Sequence, residues 1–162
     1  MNTPFDGLET QSAEARAARI AEALPKQIAL AQGLSGYADL GAHEAAGIAS
    51  HEALARLPVL RKSDLPELQA LNPPFGGLTT RSAAEFDHVF QSPGPINEPG
   101  MRTRDWWRFG RFLHAAGMGP GDIIQNCFGY HMTPAGLMFE NAAGAVGAAD
   151  RLDAPRGLPA LR

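Results

Sequence analysis

The sequence predicts an α/β fold: a helical N-terminal segment followed by the start of a parallel-sheet architecture, which it leaves incomplete. Three observations predict this. Residues 12–71 read as helical patterns broken by short irregular stretches. A cluster of breakers, Asn72-Pro73-Pro74-Phe75-Gly76-Gly77, then ends the helical half, since neither a helix nor a central strand tolerates so many. Beyond it the pattern alternates strand, helix, strand, helix, the order of a parallel sheet covered by helices. The expected divisions are a helical segment over 1–80, a strand–helix–strand–helix part over 81–148, and a divergent, disordered tail over 149–162.

The elements follow in order. Ser12 is a good N-cap and Glu14 an anion in a first turn. Ile20, Leu24 and Ile28 lie at helical spacing, and Gly33 stops the run. Pro25 inside that run predicts a kink or a split. His51 to Arg56 form a short helix capped by Ser50, and Ser63 caps another that ends near Leu71. Phe86–Gln91 reads as a strand. Thr103–Ala116 is the best-patterned helix, with Trp106, Phe109 and Leu113 on one stripe and Gly117 as its stop. Ile123–Phe128 reads as a buried strand, paired with or near Phe86–Gln91 in one parallel sheet. Thr133 caps, and Pro134 starts, a last helix through Val146.

Composition narrows the function classes. Hydrophobic residues make up 44% of the 162-residue chain and charged residues 19%, as in globular domains. The net charge of −3, with no basic run, gives little attraction to a nucleic-acid backbone. One cysteine, Cys127, excludes an internal disulfide. It lies in an apolar strand and reads as an inert core thiol. The five histidines are scattered without i,i+4 pairing and there is no Cys-x-x-Cys, so no metal site is expected. The N-terminus lacks a basic and an apolar signal region, and no apolar run reaches 18 residues; the expectation is a soluble cytoplasmic protein that engages neither membrane nor nucleic acid. Arg102, Arg104, Arg108 and Arg111 read as a solvated face.

Four stretches in order, LPVLRKSDL (57–65), PPFGGL (73–78), VFQSPGPINEPG (89–100) and FLHAAGMGPGDIIQNCFGYHMTPAGLMFENAAGAVGA (112–148), resemble the N-terminal region of the phenylacetate–CoA ligase branch of the AMP-forming acyl-CoA synthetases. The resemblance runs from Phe5 to Ala148. It implies the ligase N-terminal-domain architecture, ATP, Mg²⁺ and coenzyme A as the reaction's other participants, and a small carboxylic acid as substrate. It also places the nucleotide phosphate loop after the strand at 86–91, on Ser92 and Gly94. Two departures stand out. The family's loop reads like SSGTTGKP, whereas here Pro93 and Pro95 remove N–H donors from QSPGPINEP. The family continues into a buried strand, whereas this chain reads ADRLDAPRGLPALR.

The chemistry such a site needs is phosphate cradling and stabilisation of developing charge. Ser92 and Gly94 suit backbone and hydroxyl donation to phosphate, or form a plain turn. Phe128, Tyr130 and His131 sit at the C-terminal end of a predicted parallel strand, where open α/β sheets bind ligands. They are candidates for the acyl or aryl pocket, the alternatives being a core Phe128 and a helix-capping His131. The family's later acidic motif, ribose-binding Asp and catalytic Lys have no counterpart here, so no catalytic residue is assigned. Two functions follow: the N-terminal portion of an acyl- or aryl-CoA ligase, inactive by itself, or a non-catalytic remnant or interaction module. Residues 149–162 are expected to add no strand. The sheet edge beside Ile123 and Ile124 would then be uncovered and would invite self-association.

Overall fold

The computed structural model describes residues 3–152, and the chain forms two compact units. One comprises residues 6–85 and 93–97. The other comprises residues 3–5, 86–92 and 98–152.

The first unit is helical. Helix α1 (Ala13–Gln32) begins where the Ser12 hydroxyl accepts the Ala15 N–H at 3.1 Å. It runs on through Pro25 as one helix, not two. Its Ile28 packs with Leu40 and Leu57, flanked by Leu24, Tyr37 and Ile48, to form the core. The connecting stretches are 3₁₀ turns (Ser35–Ala42 and Ala45–Gly47), the tight geometry short Gly- and Ala-rich runs adopt. Ser50 caps α2 (His51–Leu54). Ser63 does not cap the next helix. A 3₁₀ turn over Lys62–Asp64, closed by the Arg61 N–H on the Asp64 carboxylate at 3.2 Å, leads into α3 (Leu65–Leu71). The buried Gln69 of α3 clamps Asn97 in both directions. Its Nε2 donates to the Asn97 carbonyl at 2.9 Å, and its Oε1 accepts the Asn97 N–H at 2.8 Å.

Strands β1 (His88–Ser92) and β2 (Ile96–Gly100) form a two-stranded sheet joined through Pro93, Gly94 and Pro95. So short a connection fits antiparallel strands alone. The strand expected at 86–91 therefore exists, at 88–92, but it does not share a sheet with the strand at 123.

The second unit is built on a βαβ crossover: β3 (Ile123–Asn126), α5 (Ala135–Val146) and β4 (Ala149–Leu152). β3 and β4 are parallel, with Ile123 opposite Ala149 and Asn126 opposite Leu152. This corrects the expectation that no strand follows Ala148. It also removes the premise of an uncovered edge, because β4 supplies the neighbour on that side of β3. The remaining tail residues, 153–162, lie outside the described residues. The chain reaches β4 because Gly147 takes the left-handed conformation (φ 78°) that ends a helix, with the Ala148 N–H on the Ala143 carbonyl at 3.0 Å.

The helix expected over Thr103–Ala116 is shorter than the pattern implied: α4 covers Gly110–Ala115. Asp105 and Arg108 have positive φ (54° and 60°), which a continuous helix does not allow. Backbone groups that helical bonds would have satisfied find other partners. Asn141 of α5 accepts the Trp106 N–H at 2.7 Å and donates to the Thr103 carbonyl at 2.9 Å. Asp105 accepts the Gly110 N–H at 2.8 Å, capping α4. Leu113 is buried as expected, but Trp106 and Phe109 are only half-buried. The core of this unit is Leu113, Ala142, Val146 and Ala148, with Phe5, Phe109, Met118, Ile124 and Phe139 around it. Among the described residues, no helix is long and apolar enough to cross a membrane.

Candidate functional site

The end of β3 and the start of α5 bring the predicted pocket residues together. Ile123 at the start of β3 is 73% exposed, while polar Asn126 at its end is buried, the reverse of an apolar strand. Asn126 is the hub. Its Oδ1 accepts the Phe128 N–H at 3.1 Å. Its Nδ2 lies 2.9 Å from both the Tyr130 hydroxyl and the Gly136 carbonyl, and 3.2 Å from Asp150 Oδ2. With two hydrogens for three acceptors, the two shorter contacts take them. The Tyr130 hydroxyl then donates to Asp150 Oδ2 at 3.0 Å. Burial of that hydroxyl, and then the Asp150 carboxylate it faces, push the Tyr130 phenol well above its ordinary value, with Glu140 adding in the same direction. Asp150 Oδ1 is buried without a hydrogen-bond partner.

Gly136 allows the first turn of α5 to close on this network. A Cβ there would stand 2.8 Å from the Gly129 carbonyl oxygen and 2.9 Å from Tyr130 Cδ2. Phe128 is not core. Half its surface is exposed, and its ring stacks on Phe139 at 4.7 Å and 11°. Phe112, also exposed, meets Phe139 edge-on at 6.5 Å. Exposed aromatic rings thus line the surface beside Tyr130. His131 is exposed, and its Nδ1 reaches the Thr133 N–H only at 3.5 Å. Thr133 itself does not cap α5. Cys127 is exposed and free, which corrects its reading as a core thiol; on β3 the inward side falls at Asn126 instead.

Ser92 and Gly94 stand elsewhere in the chain's course. Ser92 ends β1, is 9% exposed, and its hydroxyl has no partner. Gly94 sits at φ 122°, a conformation suited to glycine, as the one N–H donor between two prolines. The Asn97 N–H is taken by Gln69. A phosphate cradle needs several convergent N–H groups. This connection does not provide them. Among the described residues, no group of three or more His, Cys, Asp or Glu stands close enough together to hold a metal ion.

Sequence reading missed Asn126 and Asp150. The signal for Asn126 was present, a polar residue closing an apolar strand just before a Phe-Gly-Tyr turn. Asp150 lay in a stretch with no periodicity and gave none.

The fold is that of part of an adenylate-forming acyl-CoA ligase. A structure of 2-hydroxyisobutyryl-CoA ligase in the postadenylation state with R3-HIB-AMP matches 91% of this chain at a TM-score of 0.79 and 23% identity. An open conformation of 2-hydroxyisobutyryl-CoA ligase with 2-HIB-AMP and CoA matches 91% of the chain at 0.78 and 24%. The chain spans 33% and 37% of the length of those two ligase chains. These likenesses carry the adenylate-forming fold; they do not single out the phenylacetate–CoA branch. No family model and no curated protein matches the sequence.

Proposed function

We propose that this chain is the first part of an AMP-forming acyl- or aryl-CoA ligase, and that its contribution is one wall of the acyl pocket. The observation that carries the reading is the fold shared with acyl-CoA ligases across nine tenths of the chain. Phe128 and Tyr130 fit the role: an exposed ring stacked on Phe139, and a second ring whose hydroxyl is fixed by Asn126 and Asp150. Aromatic faces give a carboxylic acid's apolar body a rigid surface. His131, exposed beside them, is the donor for the acid's anionic end. In this reading ATP with Mg²⁺, and coenzyme A, are the other participants, and a phenylacetate-like aryl acid is one member of the substrate class. Ser92 and Gly94 remain phosphate-loop candidates through the resemblance alone, with the Ser92 hydroxyl buried.

A specific observation favours the second reading, a non-catalytic module. The connection at 93–95 lacks the donors that adenylation requires, so the 162-residue chain by itself is expected not to form acyl-adenylate. A pyrophosphate-release assay with ATP, Mg²⁺ and a panel of aryl and short branched acids tests this. The expected result is no acid-dependent release. Clear turnover would refute inactivity of the isolated chain.

A further inference from the structure

The helical unit carries a cleft of about 430 Å³, lined by the C-terminal half of α1, the 3₁₀ turn at Ser35–Ala42 and the stretch from Leu54 to Asp64. We propose that it binds a primary ammonium ion with an aliphatic body. The cleft shares no residue with the surface at Phe128–His131 and does not depend on the ligase reading.

The volume falls in the range of small-molecule sites, roughly 300–1,000 Å³. Ile28, Leu40 and Leu57, the buried core of this unit, also line the cleft. Val59 stands on the same lining and is 76% exposed. Apolar surface left open to water in this way favours an apolar ligand body. The charged members of the lining are both acidic, Asp39 and Asp64. No Lys, Arg or His stands on it; Arg61 and Lys62 fall between Leu60 and Asp64 in sequence but are not part of the lining. The two carboxylates differ in how far they are committed. Asp64 accepts the Arg61 N–H at 3.2 Å and the Ser63 hydroxyl at 3.0 Å. Asp39 is exposed and has no hydrogen-bond or ion-pair partner among the described residues, so its acceptors are open to a ligand. An uncharged aliphatic ligand would strip water from this carboxylate and return nothing, and an anion would be repelled by both carboxylates. An ammonium group returns three N–H donors and the opposite charge. Tyr37, half-buried on the same lining, adds an aromatic ring, whose face attracts a cation. The apolar groups select the body of the ligand and Asp39 selects its head.

NMR titration of the ¹⁵N-labelled chain with hexylammonium chloride tests the proposal, with hexanol, hexanoate and methylammonium as comparison ligands. Saturable amide shifts are expected at residues 36–40 and 54–64, with each comparison ligand roughly tenfold weaker or more. Asp39→Asn removes the charge of an exposed side chain and is expected to weaken hexylammonium binding roughly tenfold or more. Asp64→Asn is a poorer probe, because that carboxylate closes the turn at Lys62–Asp64. Val59→Lys sets a fixed cation on the lining at an exposed position and is expected to abolish binding while keeping the wild-type circular dichroism; if Val59→Lys fails to fold, Asp39→Asn decides. Equal affinity for hexanol would mean an apolar groove without charge selection. A dimer in sedimentation that dissociates on adding the amine would mean that the groove seats a second copy. Either result would overturn the proposal, as would shifts that do not saturate or an unchanged affinity in Asp39→Asn.

Discussion

Asn126 joins the turn at Phe128 to the first turn of α5 at Gly136, and reaches Asp150 of β4 through the Tyr130 hydroxyl. Replacing it with alanine leaves the buried Gly136 carbonyl and the part-buried Phe128 N–H without their partners. Asn126→Ala is expected to cost about 2–4 kcal/mol, read from urea denaturation. A loss within ~0.5 kcal/mol, as at an ordinary surface site, would show the hub to be incidental. Tyr130 gives a second test. Its folded-state phenol titrates above the ordinary value because burial and Asp150 disfavour the phenolate. The neutral form is thus favoured by folding. Its contribution to stability is whole below the unfolded value of about 10 and is lost as pH rises from there through the folded value. The chain has two tyrosines, so near-ultraviolet absorbance can resolve the effect. A late rise in phenolate absorbance is expected in the native chain and is expected to vanish in Tyr130→Phe; persistence of that rise in the variant would contradict the assignment.

The packing of elements explains both what was readable and what was not. In the helical unit, Gln69 replaces two solvent hydrogen bonds with a reciprocal pair to the Asn97 backbone. Gln69→Leu keeps the volume and removes the pair, at an expected cost of about 1–3 kcal/mol in thermal or chemical unfolding; an unchanged midpoint would mean the clamp contributes nothing. At α5, Gly136→Ala sets a methyl group against Tyr130 Cδ2 and the Gly129 carbonyl. A destabilisation of about 1–3 kcal/mol is expected, despite alanine's better helix propensity. Greater stability in that variant would mean the close approach relaxes freely. Local signals were legible where one residue decides the structure. Ser12 and Ser50 begin helices through contacts made within a few residues. The Thr103–Ala116 pattern misled because Trp106, Phe109 and Leu113 do fall at helical spacing, yet Asn141, more than thirty residues on, takes the Thr103 and Trp106 backbone groups. A tertiary partner overrode periodicity. β4 was invisible for a similar reason. Ala149-Asp150-Arg151-Leu152 has no strand-like alternation, and its backbone is held by β3 and by the Asp122 carbonyl, which accepts the Ala149 N–H at 2.9 Å.

At the scale of the whole molecule, the order of the pieces was legible. The four stretches that carried the resemblance lie in a chain whose fold matches part of an acyl-CoA ligase. That Phe128, Tyr130 and His131 follow a strand was readable, and the strand belongs to a βαβ crossover. The hydrogen bonds that fix Tyr130 were not readable, because Asp150 lies 20 residues away in sequence. The proposal that the surface at Phe128–His131 faces an acyl group is tested most directly by NMR titration of the ¹⁵N-labelled chain with a hydrolysis-resistant acyl-adenylate analogue. Dose-dependent amide shifts are expected, concentrated at residues 126–131 and the first turn of α5 and reduced in Tyr130→Phe. Shifts confined to other surfaces, or none at saturating analogue, would contradict it.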